Sequence, residues 1–187
     1  MGKPIDTINV VDVESTCWEG NPPPGQRSEI IEIGICSLAT AGFGMSGNRS
    51  IMVKPQWSTI SPFCTKLTTI TQEMVDKGIT FLSACDILRN DYTAKERIWA
   101  SYGDYDRNQF ERCCSQYGPM RNSYPFGSRH INIKTLIAVA KGWDSEVGMD
   151  EALRRLGLPL QGTHHRAADD ALNIAAILAH ILKRCRT

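Results

Sequence analysis

The spacing of hydrophobic and polar residues changes period along the chain. Ile8 to Val13 (INVVDV) is short, β-branched and almost continuously apolar, the pattern of a strand buried on both faces. After the turn-rich stretch Asn21 to Gly25 (NPPPG), Glu29 to Leu38 (EIIEIGICSL) and Arg49 to Val53 (RSIMV) repeat that signal, the last closed by Pro55. The three predict an opening β-meander. The period then becomes helical over Pro62 to Lys66, Thr71 to Lys77 and Thr80 to Tyr92, with Thr71 and Thr80 placed as N-caps. Arg97 to Ser101 (RIWAS) predicts a strand. Asp106 to Tyr117 predicts a helix with Asp106 as N-cap and Gly118-Pro119 as its stop. Ile131 to Ile133 predicts a fifth strand, and Lys134 to Lys141, Met149 to Leu156 and Ala168 to Arg184 predict the remaining helices. Strands first, then strands alternating with helices, indicate an α/β or α+β domain on a mixed sheet.

A chain of 187 residues, 42% of them hydrophobic, supports one substantial core, so residues 1–187 are expected to form a single domain. The 21 basic and 20 acidic residues leave a net charge of +1, and no whole-molecule field draws phosphate to the surface. Any contact with nucleic acid must come from a local patch or from bound cations. Seven cysteines, most in apolar runs and without a C-x-x-C spacing, read as reduced thiols and exclude a disulfide framework or zinc site. With neither a signal-like N-terminus nor a run of about 18 apolar residues, a soluble cytoplasmic protein with no membrane partner is expected.

Three acidic groups carry candidate chemistry. Asp12 and Glu14, two residues apart at the end of the first strand, emerge on one face and repel unless a cation or proton lies between them. Alone, such a pair is more often a solvated strand end. Asp104 and Asp106 follow the RIWAS strand at a helix entry, where capping by itself accounts for Asp106. The third group, His164-His165-Arg166-Ala167-Ala168-Asp169-Asp170, precedes an amphipathic helix. Residues five apart on a helix point about 140° away from each other, so His165 must lie on the preceding loop to meet Asp170 in the first turn. Asp169 is assigned to stabilising the helix N-terminus.

Taken in order, Asp12-Val13-Glu14-Ser15-Thr16, SEIIEIG (Ser28 to Gly34), LTTITQEMV (Leu67 to Val75), SYGDYDRNQF (Ser101 to Phe110) and His165 with Asp170 resemble the motifs of the DnaQ-like DEDDh 3′→5′ exonucleases. The Eri/3′hExo-like branch is the most similar, over nearly the whole chain. The resemblance implies an α/β, RNase H-like fold with a five-stranded mixed sheet flanked by helices. It implies that Asp12, Glu14, Asp106 and Asp170 hold two divalent cations, Mg²⁺ or Mn²⁺, with His165 as general base. The implied partner is the 3′ end of single-stranded nucleic acid, RNA in preference to DNA, and the implied product a nucleoside monophosphate. Leu67 and Ile70 would pack against the terminal bases, and Thr16 would contribute through the backbone approach of the first motif.

The chain departs from that pattern at two places. Tyr105 precedes Asp106 where the branch usually has tryptophan, and residues 21–25 lengthen the loop beside the first strand. Trp18, Trp57, Trp99 and Trp143 are assigned to core or rim packing. A binding module of the same fold without turnover is the competing reading, set against the presence of all five chemical positions. An endonuclease of the wider fold leaves the His165 and Asp170 spacing without a role.

Overall fold

The computed structural model describes residues 4–117 and 123–186. Strands β1 (Thr7–Ser15), β2 (Ile30–Ala39), β3 (Met45–Met52), β4 (Ile98–Ser101) and β5 (His130–Asn132) form one sheet in the order β3-β2-β1-β4-β5. The first three strands, joined by direct connections, pair antiparallel. β4 and β5 arrive through helical crossovers and pair parallel, β4 on β1 and β5 on β4. The helices are α1 (Pro62–Thr68), α2 (Gln72–Asp76), α3 (Phe81–Asp91), α4 (Tyr105–Tyr117), α5 (Ile133–Lys141), α6 (Met149–Leu156) and α7 (Ala167–Arg184). The mixed sheet with flanking helices is the expected architecture. No helix among the described residues is long and apolar enough to cross a membrane.

Helix starts follow local chemistry. Thr71 and Thr80 are N-caps as expected, accepting from the Met74 and Ser83 amides, and Ser61 caps α1 in the same way. The N-cap role of Asp106 needs correction. Gly103, at φ 105°, turns the chain out of β4 early enough that α4 begins at Tyr105, and the Asp104 carbonyl accepts the Asn108 amide. Asp106 therefore lies inside the first turn, and its carboxylate reaches β1 instead. The Gly118-Pro119 stop signal lies outside the described residues.

β1 divides its side chains between two apolar layers. Val11 and Val13 pack with α3 and α4, whereas Ile8 and Val10 pack with α5, α6 and α7. α7 buries Ile174, Ile177, Leu178 and Ile181 in the second layer. At about 1.5–3 kcal/mol per buried side chain, that face contributes roughly 6–12 kcal/mol before ordering entropy is subtracted, enough to fix the helix on the sheet.

Candidate active site

Asp12 and Glu14 continue the row of Ile8 and Val10, so strand alternation points both carboxylates toward α7. The helix starts very close to β2: a Cβ on Gly34 would lie 1.8 Å from the Ala167 carbonyl oxygen, which only glycine avoids. This approach brings Asp170, in the first turn of α7, over the end of β1. From the other side, β4 pairs with β1 only as far as Val10, leaving the Val13 amide without a strand partner. Asp106 Oδ1 accepts that N–H at 3.0 Å. Three separated segments thus bring four carboxylates to one point.

The loop ahead of α7 is tied down at several atoms. Asp169 Oδ2 accepts the Thr163 amide at 2.8 Å, and the buried Asn173 amide bonds to both the N–H and C=O of Gln161. Asp169 is thus a loop anchor as well as a charge in the first helical turn. His165 adopts φ 65°, sparsely populated for a non-glycine residue, and its amide donates to Asp170 Oδ2 at 2.9 Å. Its ring places Nδ1 4.0 Å from Glu14 Oε1. His164, to which the sequence reading gave no role, sits 3.2 Å through Nδ1 from both Asp170 oxygens. The two rings stack at 4.0 Å.

Crowding the carboxylates raises the cost of ionising them. Burial pushes Asp12 well above the usual carboxylate range, and Asp106, Glu14 and Asp170 push it the same way. Glu14 is pushed up to about 8 by burial, then by Asp170 and Glu32. Burial raises Asp106 against the Val13 amide, and raises Asp170 against His164. His165 is held below its ordinary value, first by burial and then by the neighbouring His164.

A cavity of about 330 Å³ opens over this cluster, lined by Asp12, Glu14, Asp106, His164, His165 and Asp170 and by Leu67, Tyr102, Tyr105 and Met149. Two expected substrate contacts are corrected. Ile70 is fully buried in a small apolar cluster with Ile31, Cys64 and Val75, closed off from the cavity. Thr16 is buried too: its amide donates to the Glu29 carbonyl, and its hydroxyl bonds to the Arg27 carbonyl and the Glu29 amide. Both polar groups that would meet a ligand are committed to the residue 27–29 segment. Trp99 is core, stacked on Phe126, while Trp57 packs on Tyr117 and Trp143 lies under Arg155. Tyr102 and Met149 were not singled out from sequence, because an aromatic after a strand and an apolar residue opening a helix read equally well as core.

The side chains fit a cation site. Ligand oxygens of Asp12, Glu14 and Asp170 all lie within 4.8 Å of one another. They are hard donors, and their raised proton affinities mark a site short of positive charge.

A family model described as Exonuclease, of the RNase T type, matches residues 10–178. The human 3′-5′ exoribonuclease 1 is 31% identical over 189 residues, covering 95% of this chain and 53% of that protein, so the chain spans about half the length of this relative. The Drosophila melanogaster 3′-5′ exonuclease Snipper is 26% identical, covering 97% of this chain and 71% of that protein. Among solved structures, the nuclease domain of 3′hExo, a DEDDh family member bound to rAMP, superposes with a TM-score of 0.86 at 29% identity, covering 98% of this chain and 95% of that one. Its likeness gives the sheet described above the expected RNase H-like fold. With the family model spanning most of its length, the chain belongs to the RNase T-type exonuclease family, among its DEDDh members.

Proposed function

We propose that this chain is a cation-dependent 3′→5′ exonuclease that releases nucleoside monophosphates from single-stranded nucleic acid, with RNA ends preferred to DNA ends. One observation carries the reading: four carboxylates from three separated segments, and a histidine, face a single cavity. Asp12, Glu14, Asp106 and Asp170 would hold two Mg²⁺ or Mn²⁺ ions. Such ions, when bound, activate the attacking water, neutralise the phosphate and stabilise the leaving 3′ oxygen. His165 takes the proton from the water, a role that needs the neutral ring its burial favours. Leu67 and Tyr105, 39% and 53% exposed at the cavity rim, offer an apolar and an aromatic surface to the terminal base. Tyr105 occupies the position where the branch usually carries tryptophan.

The RNA preference rests on relatives: the human protein is named an exoribonuclease, and the 3′hExo domain binds rAMP. The test follows matched 5′-labelled single-stranded RNA and DNA oligomers, with free or blocked 3′ ends, in the presence of Mg²⁺ or Mn²⁺. The expected result is a ladder of single-nucleotide shortening from free 3′ ends, faster on RNA. Internal cuts, or no cleavage with either cation, would overturn the exonuclease reading, and faster DNA shortening would overturn the preference alone.

A further inference from the structure

β2 carries a carboxylate that the proposed chemistry does not use. Glu32 stands directly opposite Glu14 in the β1–β2 register and is fully buried. Its oxygens accept Arg166 Nε and an Arg166 terminal nitrogen, each at 3.1 Å, in a two-pronged pair. The same carboxylate accepts the Ala167 amide at 3.1 Å and the Ser50 hydroxyl. Arg166 is the N-cap residue of α7 and makes no side-chain capping bond, so Glu32 caps the helix from the neighbouring sheet. Two residues further along β2, Gly34 has no side chain and so admits Ala167.

We infer that Glu32 and Arg166 form a positioning clamp, which fixes the left-handed turn at His165 and the first turn of α7 so that His165 and Asp170 face Asp12 and Glu14. Arg166 adjoins His165 in sequence, and the Ala167 amide held by Glu32 opens the turn that carries Asp170. A shift of the helix start therefore moves both groups together. The pair also keeps the Glu32 charge matched beside a cluster that already holds four carboxylates; stranding it unpaired in that interior would be costly. The inference rests on the exonuclease reading, because it assigns these two residues to the same site as positioning residues without substrate contact.

The experiment compares single-stranded RNA degradation by wild type, Arg166→Gln, Arg166→Lys and Glu32→Gln, with Arg49→Gln as a control in an exposed ion pair. Each is assayed with saturating Mn²⁺ well below its own melting temperature. Because about 1 Å of misplacement costs about a hundredfold, Arg166→Gln should lose about that factor in kcat with KM within about threefold, and Arg166→Lys about tenfold. Glu32→Gln should behave like Arg166→Gln, and the control like wild type. Should Arg166→Gln not fold, Arg166→Lys, which keeps the charge and loses the fork, carries the test. Folded clamp variants with lowered melting temperature but kcat within about twofold of wild type would reduce the pair to a structural brace and overturn the inference, leaving the exonuclease reading intact. A wild type that releases nothing would sink both.

Discussion

His164 Nδ1 stands at equal distance, 3.2 Å, from the two carboxylate oxygens of Asp170. Those oxygens are the ones a cation would need, so the imidazole and a metal ion compete for the same acceptors. His164→Ala should therefore retain turnover and need less Mn²⁺ for half-maximal activity, read from a cation titration of the initial rate. Loss of turnover at saturating Mn²⁺ would move the base from His165 to His164.

His165 is placed as the base, and its substitution should cost the factor that general-base catalysis supplies, about 10²- to 10⁴-fold in kcat. His165→Asn is a better probe than His165→Ala, since asparagine tolerates the positive φ of 65° at this position. Burial and His164 hold the ring below its ordinary value of about 6.5. The proton-accepting form is thus favoured as pH rises, and the rising limb of the wild-type rate profile due to His165 should lie below about pH 6.5. That limb should vanish in His165→Asn. Near-normal turnover by that variant across the pH range would rule out this mechanism.

Asp104 and Asp106 are two residues apart, yet only one reaches the cluster. Asp104 pairs with Arg107 at 3.1 Å on an exposed surface, an interaction worth about 0–1 kcal/mol. Asp106 is buried against the Val13 amide. Asp106→Ala should abolish turnover while Asp104→Ala largely spares it, with melting curves confirming that both remain folded. The opposite pattern would move the ligand of the SYGDYDRNQF motif two residues earlier, from Asp106 to Asp104.

The crowded carboxylates couple stability to pH. Asp12, Glu14, Asp106 and Asp170 all have raised proton affinity in the folded state, Glu14 up to about 8. Protonation therefore stabilises the fold below the ordinary carboxylate range, and this contribution is lost as pH rises toward 8 through the folded value of Glu14. Cation-free protein should melt at lower temperature at pH 8 than at pH 5. Added Mn²⁺ should raise the melting temperature more at pH 8, where the ligands are ionised. Equal Mn²⁺ shifts at both pH values would contradict a carboxylate-built cation site.

Much of this was legible in the sequence because periodicity and motif order report the same contacts. Continuous apolar runs marked β1 and β2 as buried on both faces, and threonine caps marked the starts of α2 and α3. Asp12, Glu14 and Asp170 stood out through the order of motifs that resembles the DEDDh exonucleases, since alone the strand pair reads as a solvated strand end and the helix aspartate as a charge at a helix N-terminus. Ile70 failed because apolar spacing does not say which face closes over it. Thr16 failed because its hydrogen-bond partners lie 11 to 13 residues away, beyond the first strand. The Glu32 and Arg166 pair joins positions 134 residues apart, and local pattern carries no trace of it.

The most direct measurement is the amount of nucleoside monophosphate released from a single-stranded RNA with a free 3′ hydroxyl, at saturating Mg²⁺ or Mn²⁺, by wild type and by Asp12→Asn. Wild type should release monophosphates one after another until the oligomer is consumed, with no release when the cation is chelated. Asp12→Asn should release none above background while keeping its fold. A wild type that releases no monophosphate, or an Asp12→Asn variant that releases it at the wild-type rate, would contradict the account.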